Sequence, residues 1–114
     1  MASDCIFCKI ISGEIPSKKL IDDDDIIAFN DINPAAPLHI LIVPKKHIPT
    51  VNDLSKSDSE LVGKMFLAAA QLAREAKIDK SGYRTIMNCL ADGGQEVFHL
   101  HLHLLGGKKM GRMG

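Results

Sequence analysis

From His99 to Leu104 the chain changes character at every residue, reading His-Leu-His-Leu-His-Leu. A strand turns successive side chains to opposite faces, so this alternation predicts a β-strand within Val97 to Gly107. His99, His101 and His103 then share one face, and Phe98, Leu100, Leu102 and Leu104 share the other. The leucine face can close on an apolar core. Three imidazoles in a row cannot be buried without a partner for every ring nitrogen, so their face predicts chemistry. Imidazole serves as metal ligand, as general acid or base, and as covalent nucleophile; the row alone does not choose among these. Gly106-Gly107 ends the strand where a tight turn is easiest.

A chain of 114 residues is long enough for one core, and we read residues 1–114 as a single domain with its body at about 5–107 and a short tail at 108–114. Formal net charge is zero, which argues against a broad electrostatic contact with nucleic acid or an anionic membrane. A nucleotide bound here would be a small molecule in a pocket. Met1 to Asp4 is polar with no long apolar run behind it, and no stretch reaches the roughly 20 apolar residues of a membrane span. The three cysteines, two of them spaced Cys5-x-x-Cys8, do not suggest a secreted disulfide framework, and the expected location is cytoplasmic.

Cys5 to Ile11 predicts a short helix stopped by Gly13. Leu20-Ile21 and Ile26 to Phe29 predict two strands around a solvated acidic turn at Asp22 to Asp25. Two prolines fix the loop from Asn30 to Pro37, and His39 to Val43 reads as a central strand that Pro44 stops. Ser57-x-x-Glu60 has the form of a capping box opening the one long helix, which buries Leu61, Met65, Ala68, Ala69, Leu72 and Ala76 and ends near Lys77. Tyr83 to Asn88 is a strand, Ala91 to Gly94 a turn, and the histidine strand its partner. The fold class is α+β: about five antiparallel strands, one long helix on a face of the sheet, and a short N-terminal helix.

Gly93-Gly94-Gln95-Glu96 runs into the histidine strand. Glycines let the backbone approach a ligand and its N–H groups hold phosphate oxygens, though a Gly-Gly pair alone is a weak signal. Here the chain resembles a known family. His99-Leu100-His101-Leu102-His103-Leu104-Leu105 is similar to the signature of the histidine triad (HIT) superfamily. The following Gly-Gly, the N-terminal Ile-Phe-x-Lys-Ile-Ile, the block Phe29-x-Asp31-Ile32-x-Pro34-x-Ala36-Pro37 and Gly93-Gly94-Gln95 resemble its Hint branch of nucleoside phosphoramidases.

The resemblance implies hydrolysis of the P–N bond of a purine nucleoside 5′-phosphoramidate, with release of AMP and no cofactor in the chemical step. It implies His101 as nucleophile, forming a nucleotidyl-histidine, with His99 and His103 as the other catalytic histidines. It places His103, Asn88 and the backbone of Gly94, Gln95, Glu96 and Val97 around the phosphate, and Asp31 on the ribose hydroxyls. Ile6, Phe7, Ile10, Phe29 and Ile32 match the apolar walls of the base pocket; taken from the residues alone, each is equally a core side chain. The resemblance also implies a homodimer whose sheet continues from one copy to the next. Glu96 stands where many members carry serine: as an acid it would protonate a departing amine, as a carboxylate it would repel the phosphate. The tail lacks the tryptophan-containing ending of animal-type members.

Cys5 and Cys8 have the spacing of half a zinc site, though a redox pair or buried thiols share it. Members with this pair are similar in adding His47 and His99, which implies a structural zinc with no open position for water. His39 is expected to orient a triad histidine or to close its strand, and Cys89 to be a small core residue. Three other readings stay open at this point: a catalytic metal on the three histidines, a dinucleoside polyphosphate hydrolase, and a nucleotide-binding protein without turnover.

Overall fold

A computed structural model describes residues 4–113. Met1 to Ser3, part of the polar opening noted above, and Gly114 lie outside the described residues. The elements in chain order are α1 (Ile6–Ser12), β1 (Lys19–Asp22), β2 (Ile26–Asn30), β3 (Leu38–Pro44), α2 (Ser59–Glu75), β4 (Tyr83–Ile86) and β5 (Leu102–Gly106). The five strands form one antiparallel sheet, as expected, and the structure gives their order as β1-β2-β3-β5-β4.

β3 is the central strand and is buried on both faces. Its Ile40 and Ile42 join Leu102, Leu104, Ile26 and Ala28 beneath Met65, Ala68, Ala69 and Leu72 of α2. Its Leu41 and Val43 join Ile27, Phe29, Phe7 and Ile10 on the opposite side, under α1. A near-continuous apolar run is what a strand covered on both faces requires. α1 stops at Gly13, whose φ of 87° puts it in the left-handed region, with its N–H returning to the Ile10 carbonyl at 3.2 Å. At the acidic turn, Asp23 Oδ1 accepts from the N–H groups of Asp25 (2.8 Å) and Ile26 (3.0 Å), and Lys64 of α2 pairs with Asp25 at 2.8 Å.

Four expectations need correcting. The histidine strand begins only at Leu102; His99 lies in a bend and His101 in the chain just before the ladder. β4 ends at Ile86, opposite His103, and the β3–β5 pairing stops at Ile42 with Leu102, although β3 itself runs on to Pro44. Alternation persists without the ladder: Leu100, Leu102 and Leu104 are all core, but Phe98 is 48% exposed. Second, the box before α2 is Ser55 with Asp58, whose carboxylate accepts from the Ser55 N–H at 2.9 Å and its hydroxyl at 3.2 Å. A 3₁₀ turn at Lys56–Asp58 intervenes, so Ser57 and Glu60 form no box. Third, Ala73 is buried in place of Ala76, which sits exposed at the helix end. β4 likewise stops two residues before Asn88.

Candidate active site

The register of β3 and β5 sets Leu41 opposite His103 and Ile40 opposite Leu104. His103 therefore stands on the face that carries α1, and the leucines on the face that carries α2. Just before β5, Leu100 donates its N–H to the Ile48 carbonyl at 2.7 Å, and buried His99 sends Nε2–H to the Pro44 carbonyl at 2.7 Å. These two bonds hold the segment just before β5.

His101 is buried, and its Nδ1–H donates to the His99 carbonyl at 2.7 Å. A neutral imidazole with its proton on Nδ1 keeps a lone pair on Nε2, the atom of a nucleophile. Beside it, ring centroids 4.9 Å apart, is His103. His39 sits behind His103: the Ala35 N–H donates to His39 Nδ1 at 3.0 Å, so the His39 proton is on Nε2, which donates to His103 Nδ1 at 2.9 Å. His103 must then carry its own proton on Nε2. One ring offers a lone pair and its neighbour an N–H. Asp31 Oδ2 approaches His39 Nε2 at 3.5 Å, while Oδ1 accepts from the Asn33 N–H at 2.8 Å.

Burial pushes His101, His99 and His39 below the ordinary histidine value. His103 falls to about 4, through burial first and then repulsion by His101 and His39. Neutral rings at pH 7 are what the hydrogen-bond directions require. An unfolded histidine takes up its proton near pH 6.5, whereas folded His103 waits until about 4. In that interval the unfolded state binds more protons, so stability is lost as pH falls through it. Urea midpoints should drop steadily from about pH 7.5 to about pH 5. A flat or rising profile would contradict the buried neutral rings.

Asn88 lies in the loop after β4 and donates Nδ2–H to the Gly93 carbonyl at 2.6 Å. Gly94 (φ 77°) and Gln95 turn their N–H groups inward, to the carbonyls of Ala91 and Leu90 at 3.0 Å each. Among the described residues the N–H groups of Glu96 and Val97 have no protein acceptor. Gln95 itself is buried: Oε1 accepts from the Leu90 N–H at 2.9 Å, and Nε2 donates to the carbonyls of Pro49 (2.8 Å) and Val97 (3.1 Å). It pins the loop, a role no sequence pattern announced. The Glu96 side chain is exposed. Of the five expected pocket residues, Phe7, Ile10 and Phe29 are buried together, whereas Ile6 and Ile32 are 45% and 91% exposed. The Phe7 ring stands edge-on to His101, centroids 5.0 Å apart.

The ligand atoms of Cys5, Cys8, His47 and His99 all lie within 4.8 Å of one another. Cys5 Sγ is 3.2 Å and Cys8 Sγ 3.5 Å from His99 Nδ1, and His47 Nδ1 is 3.0 Å from His99 Nδ1. With its proton on Nε2, His99 turns a lone pair to the cluster. One cation at about 2.0–2.3 Å from each atom would accept all four donors. Burial, with Cys5 adding to it, raises the Cys8 thiol to about 11, opposite to the lowered value of a redox-active pair. Asp31, His39 and His103 also cluster. A metal there fits poorly, because His39 Nδ1 already accepts from Ala35 and binding at Nε2 would demand an imidazolate. A surface cleft of about 740 Å³ between the acidic turn and α2 is away from the histidines. Its Lys46 and Lys64 are paired, with Asp58 at 2.6 Å and Asp25 at 2.8 Å.

The HIT domain, as a sequence family, matches residues 12–110. The chain belongs to the HIT domain family. This HIT chain is 51% identical to the purine nucleoside phosphoramidase of Escherichia coli K12, across 99% of its own length and 95% of that protein. Its fold is similar to the crystal structure of a HIT family hydrolase from Legionella pneumophila, with a TM-score of 0.93, 50% identity, and coverage of 95% of this chain and 96% of that one. A histidine triad protein from Clostridium difficile is similar at a TM-score of 0.93 and 49% identity, covering 98% of this chain and 97% of that one. The resemblance read from the histidine row and its flanking blocks is borne out.

Proposed function

We propose that this chain is a purine nucleoside phosphoramidase that cleaves the P–N bond of adenosine 5′-monophosphoramidate or an amine-linked AMP. The observation that carries the reading is the opposed proton placement of two neighbouring rings: Nδ1–H of His101 on the His99 carbonyl, and Nδ1 of His103 under the His39 N–H. His101 Nε2 attacks the α-phosphorus while His103 Nε2–H and the N–H groups of Glu96 and Val97 hold phosphate oxygens. The P–N bond breaks, and the departing amine takes a proton from solvent, which we assign the exposed Glu96 to relay. Positive charge on His101 is eased by its bond to the His99 carbonyl. Water then attacks the phosphorus, releasing AMP and the neutral ring. Asp31 binds the ribose, Asn88 supports the phosphate loop, and Ile6, Phe7, Ile10, Phe29 and Ile32 wall the base. The high identity to the E. coli phosphoramidase supports the substrate class.

Residues 1–114 act as one domain in this reading. Cys5, Cys8, His47 and His99 hold a structural zinc; with four protein ligands it would supply bracing and no chemistry. The chain works as a cytoplasmic homodimer: β4 is a sheet edge, and its Tyr83 is exposed there for a second copy. Among the described residues no helix is long and apolar enough to cross a membrane.

Rapid quenching with adenosine 5′-phosphoramidate followed by intact-mass analysis tests the reading. We expect AMP release together with an AMP adduct that maps to His101. Binding of AMP without turnover or adduct would overturn it.

A further inference from the structure

We propose that the Cys5–Cys8–His47–His99 cluster is a specificity device for the purine: the ion it takes fixes α1 on the sheet and thereby sets KM for the base, leaving kcat to residues held by other means. The inference rests on the reading above that residues of α1 wall the base.

Cys5 and Cys8 bracket Ile6 and Phe7. Cys5 is also the N-cap of α1, its sulfur accepting from the Cys8 N–H at 3.4 Å. Among the described residues no backbone hydrogen bond joins α1 to a strand. The side-chain polar links from α1 to the rest of the molecule run from Cys5 and Cys8 to His47 and His99. Beyond them α1 is held by apolar packing of Phe7 and Ile10. A seven-residue helix does not persist unaided, so its placement depends on these attachments. His99 and His101 are secured differently. The bonds from His99 to Pro44, from Leu100 to Ile48 and from His101 to the His99 carbonyl involve no atom of the cluster's ligand set. Losing the ion should therefore loosen the wall that Ile6 and Phe7 present and leave the nucleophile in place.

The test compares zinc-loaded, chelator-stripped and zinc-restored protein, with Cys8→Ser as a second way to empty the site. Zinc content, amide hydrogen exchange, and kinetics on adenosine 5′-phosphoramidate and on ribose 5-phosphoramidate, which lacks the base, are read side by side. Stripping should speed exchange in residues 6–12 by about tenfold or more with β3 and β5 unchanged. It should raise KM for the adenosine substrate by roughly fivefold to tenfold, leave KM for the base-free one within about twofold, and preserve kcat. Zinc should restore both signals. Protein that binds no zinc, or that loses it with exchange and KM unmoved, overturns the proposal. If loaded protein turns over neither substrate, the phosphoramidase reading fails by itself. The tether is then judged on exchange and on AMP against ribose 5-phosphate affinity, where equal losses for both ligands would overturn it.

Discussion

His101→Ala is expected to lower kcat/KM for P–N hydrolysis by about a thousandfold or more while AMP affinity changes only a few-fold. The size of the effect follows from the lack of a substitute. His99 directs Nε2–H to Pro44 and Nδ1 to the cysteines. His103 has its Nδ1 lone pair engaged by His39 and its proton on Nε2. Neither ring has an unengaged lone pair for phosphorus, so the covalent route closes when His101 Nε2 is removed. What remains is phosphate binding by His103 and the loop, which keeps affinity. Steady-state AMP release, with AMP binding measured by calorimetry, checks both halves. A variant retaining a tenth of wild-type kcat/KM would show that His101 is not the nucleophile.

Leu104→Ala should cost about 2–5 kcal/mol of stability. Leu104 is fully buried on the even face of β5, in the cluster formed with Ile40, Ile42 and the α2 residues Met65, Ala68, Ala69 and Leu72. Two of these four α2 residues are alanines, whose short side chains cannot reach into the space vacated, which limits relaxation and keeps a cavity term. Urea unfolding at fixed protein concentration gives the number. A loss under about 1 kcal/mol would mean that the sheet and α2 close over the gap.

Much of this arrangement was legible in the sequence because it depends on period and punctuation. Alternation placed Leu100, Leu102 and Leu104 in the core and the histidines across from them, Gly13 stopped α1, and His39 stood next to a triad ring. What alternation cannot report is where a ladder stops. His99 and His101 kept their faces while the strand itself waited for Leu102. Capping patterns fail for a related reason: Ser55 with Asp58 and Ser57 with Glu60 share one spacing, and only the 3₁₀ turn between them decides. Ala73 and Ala76 differ by less than a helical turn, so the position of the helix end chose between them. Within the site, the histidines and cysteines were visible as residue types. The proton directions were not, because they are set by the carbonyls of Pro44 and His99 and the N–H of Ala35, which any sequence supplies.

Gln95 has a consequence for how a ligand arrives. The chain between β4 and β5 is long enough to be a lid, yet its amide side chain bonds to Leu90, Pro49 and Val97, and the adjoining glycine turn closes on itself. Such a loop behaves as a cast. The entropy of shaping it was surrendered during folding, so little ordering is left to oppose the encounter with a phosphate. In the phosphoramidase reading, association would then resemble the docking of two rigid bodies, with discrimination among nucleotides resting on the fit of a surface that already exists.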